Sequence, residues 1–318
     1  MRLFANANYP FIEKRRVAYA FSAIVIALGV AGMAFNIFSM GSWQNYGVDF
    51  TGGSLIQVQF RDATTAAQLR SALGGAQAPP ITRFGEENEF VIRAPLGEEE
   101  VDVVRARLEA QLTAAFGSDL FTVVRTDTVG PKIGSELQRN AGLAILASFV
   151  LTLLYIAFRF ELRFGLASVI ATAHDIMITL GFLAVFRVEI ALPTVAAILT
   201  IVGYSLNDTI VVFDRIRENL NAKGGRREDP TTLVDRSINE TLPRTVLTSG
   251  TTLVVLLALL FVGGAVIRDF TLVLILGVVV GTYSSIFVAS PALLEIQKRL
   301  GDGSGDRDRK KRGAKATA

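Results

Sequence analysis

Ionisable and amide side chains stand in the middle of long apolar stretches of this sequence. His174 and Asp175 lie in one such stretch, and Asn207 and Asp208 lie in the next. An Asp at the centre of a membrane helix costs about 2.5–3.5 kcal/mol on insertion scales, so residues of this kind usually have a function. A carboxylate whose surroundings change can take up and release a proton. These positions are therefore candidates either for proton transfer inside a membrane or for structural hydrogen bonds between helices.

Further polar residues line one face of each stretch. They are Ser168, Thr172, Asp175 and Thr179 in the first, and Thr200, Tyr204 and Asp208, with Asn207 beside them, in the second. Residues three and four apart share a side of an α-helix, so each set forms a stripe. Two interpretations of Asp175 remain open: a structural hydrogen bond to a neighbouring helix, or a place on a proton path. His174 by itself is more typical of a packing residue.

Arg244 opens another apolar stretch and shares a face with Thr248, Thr251 and Thr252. One interpretation is that its long side chain snorkels to the lipid headgroups. The other is an ion pair with Asp208, which lies at a similar depth. An adjacent Arg favours the charged form of a carboxylate, so an Asp208 that gains and loses Arg244 would change its affinity for protons.

The composition excludes several classes of protein. The chain has 318 residues, no Cys and one His, which excludes disulfides, thiol nucleophiles, Cys-ligated metals and multi-His sites. No phosphate-binding loop, nucleotide fingerprint or Ser–His–Asp signature occurs. Ser205, Ser249 and Ser284 lie in apolar stretches, but nothing near them in the sequence supports a nucleophile. We predict a protein that is not an enzyme and holds no cofactor or metal.

Half of the residues, 51%, are hydrophobic and only 19% are charged. A transmembrane helix needs about 20 mostly apolar residues. Six segments qualify, and they are 17–38, 141–158, 164–186, 192–213, 245–262 and 270–293. The net charge of +3 comes from loops and the chain end, as in a membrane protein.

The basic residues also predict the orientation. Lys and Arg are concentrated in 14–16, 159–163, the loop 214–244 and the segment from 298 onward, whereas the short loops at the other end hold only Arg187 and Arg268. By the positive-inside rule, the N-terminus (1–16) and the C-terminus are both cytoplasmic. The long segment 39–140 is then translocated, because long loops cross largely regardless of their charge. We expect the tail 294–318 to be basic and disordered.

Residues 39–140 are too polar to span a membrane and long enough to form a domain. The sequence predicts strands at 54–60, 81–84, 89–94 and 120–126 and helices at 64–73 and 98–116, with a turn at 85–88. The order βαββαβ is typical of a ferredoxin-like sandwich. Asp49, Gly52 and Gly53 precede it and predict a turn into the first strand. The predicted fold class is a polytopic α-helical membrane protein of six transmembrane helices, with an α+β ferredoxin-like extracytoplasmic domain between the first two.

Four motifs resemble those of the SecF branch of the SecD/SecF family, in the resistance-nodulation-division superfamily. They are Val48–Gly53, Ala173–Ile176, Gly203–Asn219 and Arg244–Thr252. The resemblance covers essentially residues 10–295, and Gly203–Asn219 is its most specific part. It implies a multi-pass protein of the bacterial inner membrane that pairs with SecD and associates with the SecYEG channel and YajC.

The resemblance also implies that the chain uses the proton-motive force to assist translocation of preproteins. In the family, the membrane Asp of the fourth span and the Arg that opens the fifth belong to the proton pathway; they match Asp208 and Arg244. We add Asn207, Asp175, His174 and Thr248 to that pathway as candidates. Because the second key carboxylate of the family lies in SecD, this chain would hold half of a site.

Two other functions remain. One is a proton-driven small-molecule efflux half-transporter of the same superfamily, although such pumps usually carry two six-span halves. The other is a non-catalytic scaffold of the export channel. A scaffold would not need Asp208, so the effect of replacing Asp208 distinguishes these functions.

Overall fold

The computed structural model describes residues 7–75, 78–83, 88–95, 101–264 and 267–300. The helices are α1 (Arg15–Met40), α2 (Val48–Thr51), α3 (Ala66–Ala72), α4 (Val101–Phe116), α5 (Pro131–Arg159), α6 (Leu162–Val185), α7 (Leu192–Asn221), α8 (Pro230–Val262), α9 (Arg268–Ser284) and α10 (Ser290–Leu300). The strands are β1 (Asn45–Tyr46), β2 (Gly53–Phe60), β3 (Ile81–Arg83), β4 (Glu89–Pro95), β5 (Phe121–Val129) and β6 (Glu189–Ile190). A π-helical turn, Ser285–Ala289, joins α9 to α10.

Within the described residues, six helices are long and apolar enough to cross a membrane: α1, α5, α6, α7, α8 and the joined α9–α10. The helices α6, α7 and α9 are the most buried, whereas α1, α5 and α8 lie at the periphery. Peripheral side chains such as Phe38, Phe158 and Val262 are 91%, 94% and 86% exposed. Such apolar surfaces suit lipid rather than water. The protein is therefore a multi-pass membrane protein.

Several helices run beyond their predicted boundaries. The helix α5 begins at Pro131 instead of 141, α7 continues to Asn221, and α10 reaches Leu300, so part of the segment 294–318 that was predicted to be disordered is helical. Residues 301–318 lie outside the described part. The helix α8 is continuous from Pro230 to Val262 and includes Pro243, where the sequence predicted a loop up to 244 and a span that begins at 245. Hydropathy marks where a helix leaves the apolar layer, and the helix itself ends only where a breaker or cap occurs.

The segment between α1 and α5 contains an antiparallel sheet whose described strands follow the order β3-β4-β2-β5. The helices α3 and α4 pack on this sheet. The shared core includes Ile56, Leu69, Phe90, Ile92 and Leu112. The predicted turn at 85–88 and the start of the predicted helix at 98 fall largely outside the described residues. The elements that are described alternate as β2, α3, β3, β4, α4 and β5.

Contacts at the opposite end of the helices fix the N-terminal segment. The amide of Tyr9 donates to Asn239 Oδ1 at 2.9 Å, and the amide of Ile12 donates to Asp235 Oδ1 at 2.8 Å. Both acceptors lie near the start of α8. The N-terminal segment therefore sits at the end of the bundle that carries the basic loops.

Candidate functional site

Asp208 is 2% exposed and lies between α7, α8 and α9. Ser249 on α8 donates to Asp208 Oδ2 at 3.2 Å, and Thr282 on α9 approaches the same oxygen at 3.4 Å. The two hydroxyl oxygens lie 2.6 Å apart, so they also bond to each other. Thr282 has a third acceptor, the carbonyl of Val278 at 2.7 Å, but only one proton to donate. The carboxylate of Asp208 therefore competes with other acceptors for its donors.

Arg244 does not contact Asp208 directly in this structure. Its side chain is exposed at the start of the apolar part of α8, and no described ion pair joins it to a carboxylate within 4.0 Å. It is close enough to attract Asp208 electrostatically. Arg244 and Asp208 are therefore separate but lie at a similar depth. Ser249, which bonds to Asp208, lies on α8 little more than one turn beyond Arg244.

Asn207 and Thr248 lie away from the buried carboxylate. Asn207 is exposed on the outer face of α7, as is Thr200, so the polar stripe predicted for this helix splits into an inner and an outer set. The inner set holds Asp208 and Tyr204, whose hydroxyl lies 3.4 Å from Ser249 Oγ. Thr248 is half-buried, and its carbonyl accepts from Thr252 within α8.

The second buried carboxylate, Asp175 on α6, is 1% exposed and more closely surrounded. His174 Nδ1 lies 2.9 Å from its Oδ1. Ser205 on α7 and Ser284 on α9 donate to its Oδ2 at 2.5 and 2.8 Å. The other ring nitrogen of His174 lies 2.9 Å from Ser22 Oγ on α1. A continuous polar network therefore connects α1, α6, α7 and α9, and Asp175 is the member of the α6 polar stripe that takes part in it.

Close packing of α7 on α9 brings the two carboxylates into one region. A Cβ at Gly277 would overlap the side chain of Ile201, and one at Gly281 would lie 3.0 Å from Ser205 Cβ. The Gly-x-x-x-Gly pattern thus allows the helix backbones to approach each other. Ser205 and Asp208 are one turn apart on α7, and Thr282 and Ser284 are two residues apart on α9. Each carboxylate therefore has one hydroxyl partner on α9, Thr282 for Asp208 and Ser284 for Asp175.

The turn at Asp49, Gly52 and Gly53 forms as predicted. The helix α2 ends at Thr51, and β2 begins at Gly53. Gly52 has φ +74° and Gly53 has φ +142°, values that residues with a Cβ rarely adopt. Unlike Asp175 and Asp208, Asp49 accepts a hydrogen bond from a backbone amide. Its Oδ2 accepts from the amide of Leu192, the first residue of α7, at 2.9 Å.

Sequence reasoning found both buried carboxylates and His174, but not the hydroxyl groups that bond to them. Ser22, Ser249, Thr282 and Ser284 come from helices distant in the chain. Their only sequence signal is a hydroxyl in an apolar helix, which most often bonds to its own backbone. Within the described residues, no group of three or more His, Cys, Asp or Glu could hold a metal ion. The arrangement provides protonatable groups joined by hydroxyls.

Comparison with known proteins supports one family. The family model for the protein export membrane protein SecD/SecF, C-terminal, matches residues 109–299, and the SecD/SecF GG motif matches residues 45–64. The protein translocase subunit SecF of Gemmatimonas aurantiaca is 46% identical over 308 residues, which are 94% of this chain and 90% of that protein. The SecF of Desulfurispirillum indicum is 45% identical over 90% of each chain.

The solved structures agree with these relatives. The crystal structure of SecDF from Thermus thermophilus, described as a translocon-associated membrane protein, has a TM-score of 0.78 and 43% identity over 94% of this chain and 40% of its own. The present chain thus spans about two fifths of that SecDF polypeptide. Given family models over both its motif and its membrane region, and SecF relatives matched over nearly their whole length, the chain belongs to the SecF family of protein translocase subunits.

Proposed function

We propose that this subunit pairs with SecD and uses the proton-motive force to assist the passage of preproteins through the SecYEG channel, in association with YajC. It acts without enzymatic chemistry of its own, and the coupling ion is the proton. The observation that carries this proposal is Asp208, a carboxylate buried among membrane helices with long, shared hydrogen bonds.

The two buried carboxylates have different roles in this proposal. Asp175 receives hydrogen bonds of 2.5 and 2.8 Å from Ser205 and Ser284 and touches His174, so three close partners hold its position and charge. Of the two hydroxyls, Ser284 has another acceptor, the carbonyl of Gly281, which is more distant at 3.1 Å. Asp208 has weaker contacts from hydroxyls that have alternative acceptors. A group with loosely held donors can exchange a proton at lower cost. Asp208 is therefore the proton carrier, and Arg244 stabilises its charged form when the helices bring them together.

The outer face of α7 and α8 supports the pairing with SecD. Thr200, Gly203 and Asn207 on α7 are exposed, as are Arg244 and Thr251 on α8. Polar side chains at membrane depth almost always face protein or water rather than lipid, and small residues are common where membrane helices meet. In the SecDF relative of Thermus thermophilus, which is 43% identical over 92% of this chain, the matched part is only 39% of the polypeptide. SecD covers this polar face and supplies the other half of the site.

The charge distribution supports an orientation for the termini and the sheet domain. The protein lies in the bacterial inner membrane with both termini in the cytoplasm, because the basic loops lie at the end that holds the N-terminal segment. The sheet domain then faces the outer side. Its strand order β3-β4-β2-β5 with α3 and α4 on one face supports a ferredoxin-like sandwich. This domain is the part that meets the emerging preprotein.

Replacement of Asp208 by Asn tests the mechanism. The change is nearly isosteric, removes the titratable group and relieves the cost of a membrane carboxylate, so folding and assembly with SecD should persist. We expect loss of the proton-driven part of export, measured as preprotein translocation into vesicles with the potential on and then collapsed by an uncoupler. One charge crossing the membrane is worth about 2.3 kcal/mol per 100 mV, so a few protons suffice for a conformational stroke.

Three further variants extend this experiment. Arg244→Lys should reduce the effect less than Arg244→Ala, because Lys keeps the charge but lacks the planar fork. Asp214→Asn is the matched control, since Asp214 is exposed on the same helix. An Asp208→Asn protein that is present at normal levels and still gives uncoupler-sensitive export would refute Asp208 as the carrier and favour a scaffold.

A further inference from the structure

The segment between α1 and β2 joins the sheet domain to the start of α7. Within it, Asn45 and Tyr46 of β1 pair in parallel with Glu189 and Ile190 of β6. The amide of Gly47 donates to the carbonyl of Ile190 at 2.9 Å. Residues 45–49 and 187–192 thus lie against each other, and we call them together the junction. The strand β6 lies directly before α7, the helix that carries Asp208.

Asp49 provides the N-cap that α7 lacks in its own sequence. The residue at the N-cap position, Ala191, has no side-chain acceptor, and instead Asp49 Oδ2 accepts the amide of Leu192 at 2.9 Å. Free amides at a helix start need acceptors, and a carboxylate there also interacts favourably with the helix dipole. A residue 143 positions earlier in the chain therefore fixes the outer end of α7.

Asp49 is also fixed to the sheet domain. It lies in the single turn of α2, and only Phe50, Thr51 and Gly52 separate it from β2. The strand β2 is internal to the sheet and pairs with β4 and β5 over most of its length. A displacement of Asp49 is therefore passed to a strand that cannot move without its neighbours.

A second contact crosses the junction. Arg93 on β4 forms an ion pair with Glu189 on β6, with 2.9 Å between Nε and Oε1. Both side chains are largely buried, at 24% and 19% exposure. A Cβ at Gly47 would lie only 2.5 Å from Glu189 Oε1, which shows how closely the two segments approach. Asp49 thus ties the sheet domain to the first residue of α7, and the Arg93–Glu189 pair ties it to the loop before that helix.

From these contacts we propose that Asp49 is a positioning residue that transmits movement of α7 to the outer sheet domain, while the Arg93–Glu189 pair holds that domain to the loop before the helix. The source of the movement, a change of charge at Asp208, rests on the proposed function. When α7 shifts along or about its axis, its first amide moves Asp49, and α2 carries β2 with it. Loss of this hydrogen bond would leave the two ends of the protein intact but uncoupled.

Distances between spin labels test the transmission in the full-length protein in lipid nanodiscs. The chain has no Cys, so labels at Thr122→Cys on β5 and Val262→Cys at the outer end of α8 are specific. Both positions are exposed, and α8 is not part of the junction. Asp208→Asn imitates the neutral, protonated state. It should shift the label distance by about 2 Å or more, the scale of helix displacements in switching proteins.

The junction variants then decide the role of Asp49. In the Asp208→Asn background, Asp49→Ala should abolish the shift, whereas Asp49→Asn should preserve it because its amide oxygen still accepts. Leu192→Pro removes the donor instead of the acceptor. Proline suits the first helical position, and Ala191 before it is already extended, so this variant should fold and also lose the shift. Asp102→Ala on α4 is the control with an unchanged shift.

Three outcomes would overturn the proposal: no shift in the Asp208→Asn protein with native Asp49, a shift that survives both Asp49→Ala and Leu192→Pro, or the same loss in Asp102→Ala. Failure of the proposed function is distinguishable, because it would appear as export that is insensitive to Asp208→Asn. The label distances would still report whether α7 moves the sheet domain through Asp49.

Discussion

At the residue scale, Asn207 and Asp208 show what a sequence pattern can predict and where it ends. Hydropathy identifies both as polar residues inside a membrane helix. Adjacent residues of an α-helix point about 100° apart, so one residue of the pair can be buried while the other is exposed. Asp208 is 2% exposed, and Asn207 faces outward. Which of them faces inward depends on the positions of α8 and α9, and the sequence of α7 alone does not contain that information.

Glu189 offers a prediction that depends on pH. Burial raises the pKa of its carboxyl above the usual 4.5, Arg93 opposes the rise, and Asp269 and Asp49 add to it. The folded protein holds this proton more tightly than the unfolded chain. The contribution of Glu189 to stability is therefore greatest below pH 4.5 and is lost as the pH rises through the raised pKa of the folded state.

Arg93→Met should therefore destabilise the protein only where Glu189 is ionised. We expect a loss of about 1 kcal/mol at pH ~8 and little effect once Glu189 is protonated. The single tryptophan, Trp43, lies beside Tyr46 of the junction, so tryptophan fluorescence reports unfolding at the junction. In a Glu189→Gln background the same Arg93→Met change should lose its pH dependence. If Arg93→Met lowers stability equally whether Glu189 is ionised or protonated, the effect of Arg93 is instead due to its bond with Thr82.

At the scale of helices, the Gly-x-x-x-Gly spacing of α9 is visible in the sequence, whereas a second glycine contact is not. Gly29 on α1 and Gly181 on α6 meet so closely that a Cβ at Gly29 would lie 2.7 Å from the Cα of Gly181. The glycines of these helices, Gly29 and Gly32 in α1 and Gly165 and Gly181 in α6, are not spaced as Gly-x-x-x-Gly, so no local pattern identifies the pair. The contact nevertheless fixes α1 against α6, and with it Ser22 against His174.

Gly29→Ala should separate these two helices. The added methyl group meets backbone, which cannot rotate away as a side chain does, and overpacking of this kind costs about 1–3 kcal/mol. The matched control is Gly142→Ala in α5, where a Cβ meets nothing within 4 Å. Ala is the better helix former, so the control should be neutral or stabilising. Thermal unfolding in detergent compares the two; equal melting temperatures would show that α1 is not held by this contact.

At the scale of the whole molecule, the six apolar helices and the alternation of strands and helices in residues 39–140 follow from periodicity and composition. The junction does not follow from them. Its contacts join Asp49 to Leu192 and Arg93 to Glu189, and each requires the sheet domain to fold back onto the loop before α7. Such pairings depend on tertiary packing that hydrophobic patterns do not encode. The parts were therefore predictable, whereas their connection was visible only in the structure.

The orientation of the molecule is tested by single cysteines in this cysteine-free chain. Ser118 lies at an exposed turn of the sheet domain, and Lys223 lies in the exposed loop between α7 and α8. The label is placed at Lys223 because the next residue of the loop, Gly224, has a φ of +91° that would strain a cysteine. Because basic loops remain in the cytoplasm, Ser118→Cys should react with an impermeant maleimide in intact cells, and Lys223→Cys should react only after the membrane is opened. Both cysteines should react fully in detergent, which controls for local accessibility. Labelling of Lys223→Cys in sealed cells, with Ser118→Cys protected, would place the sheet domain in the cytoplasm and remove it from the path of an emerging preprotein.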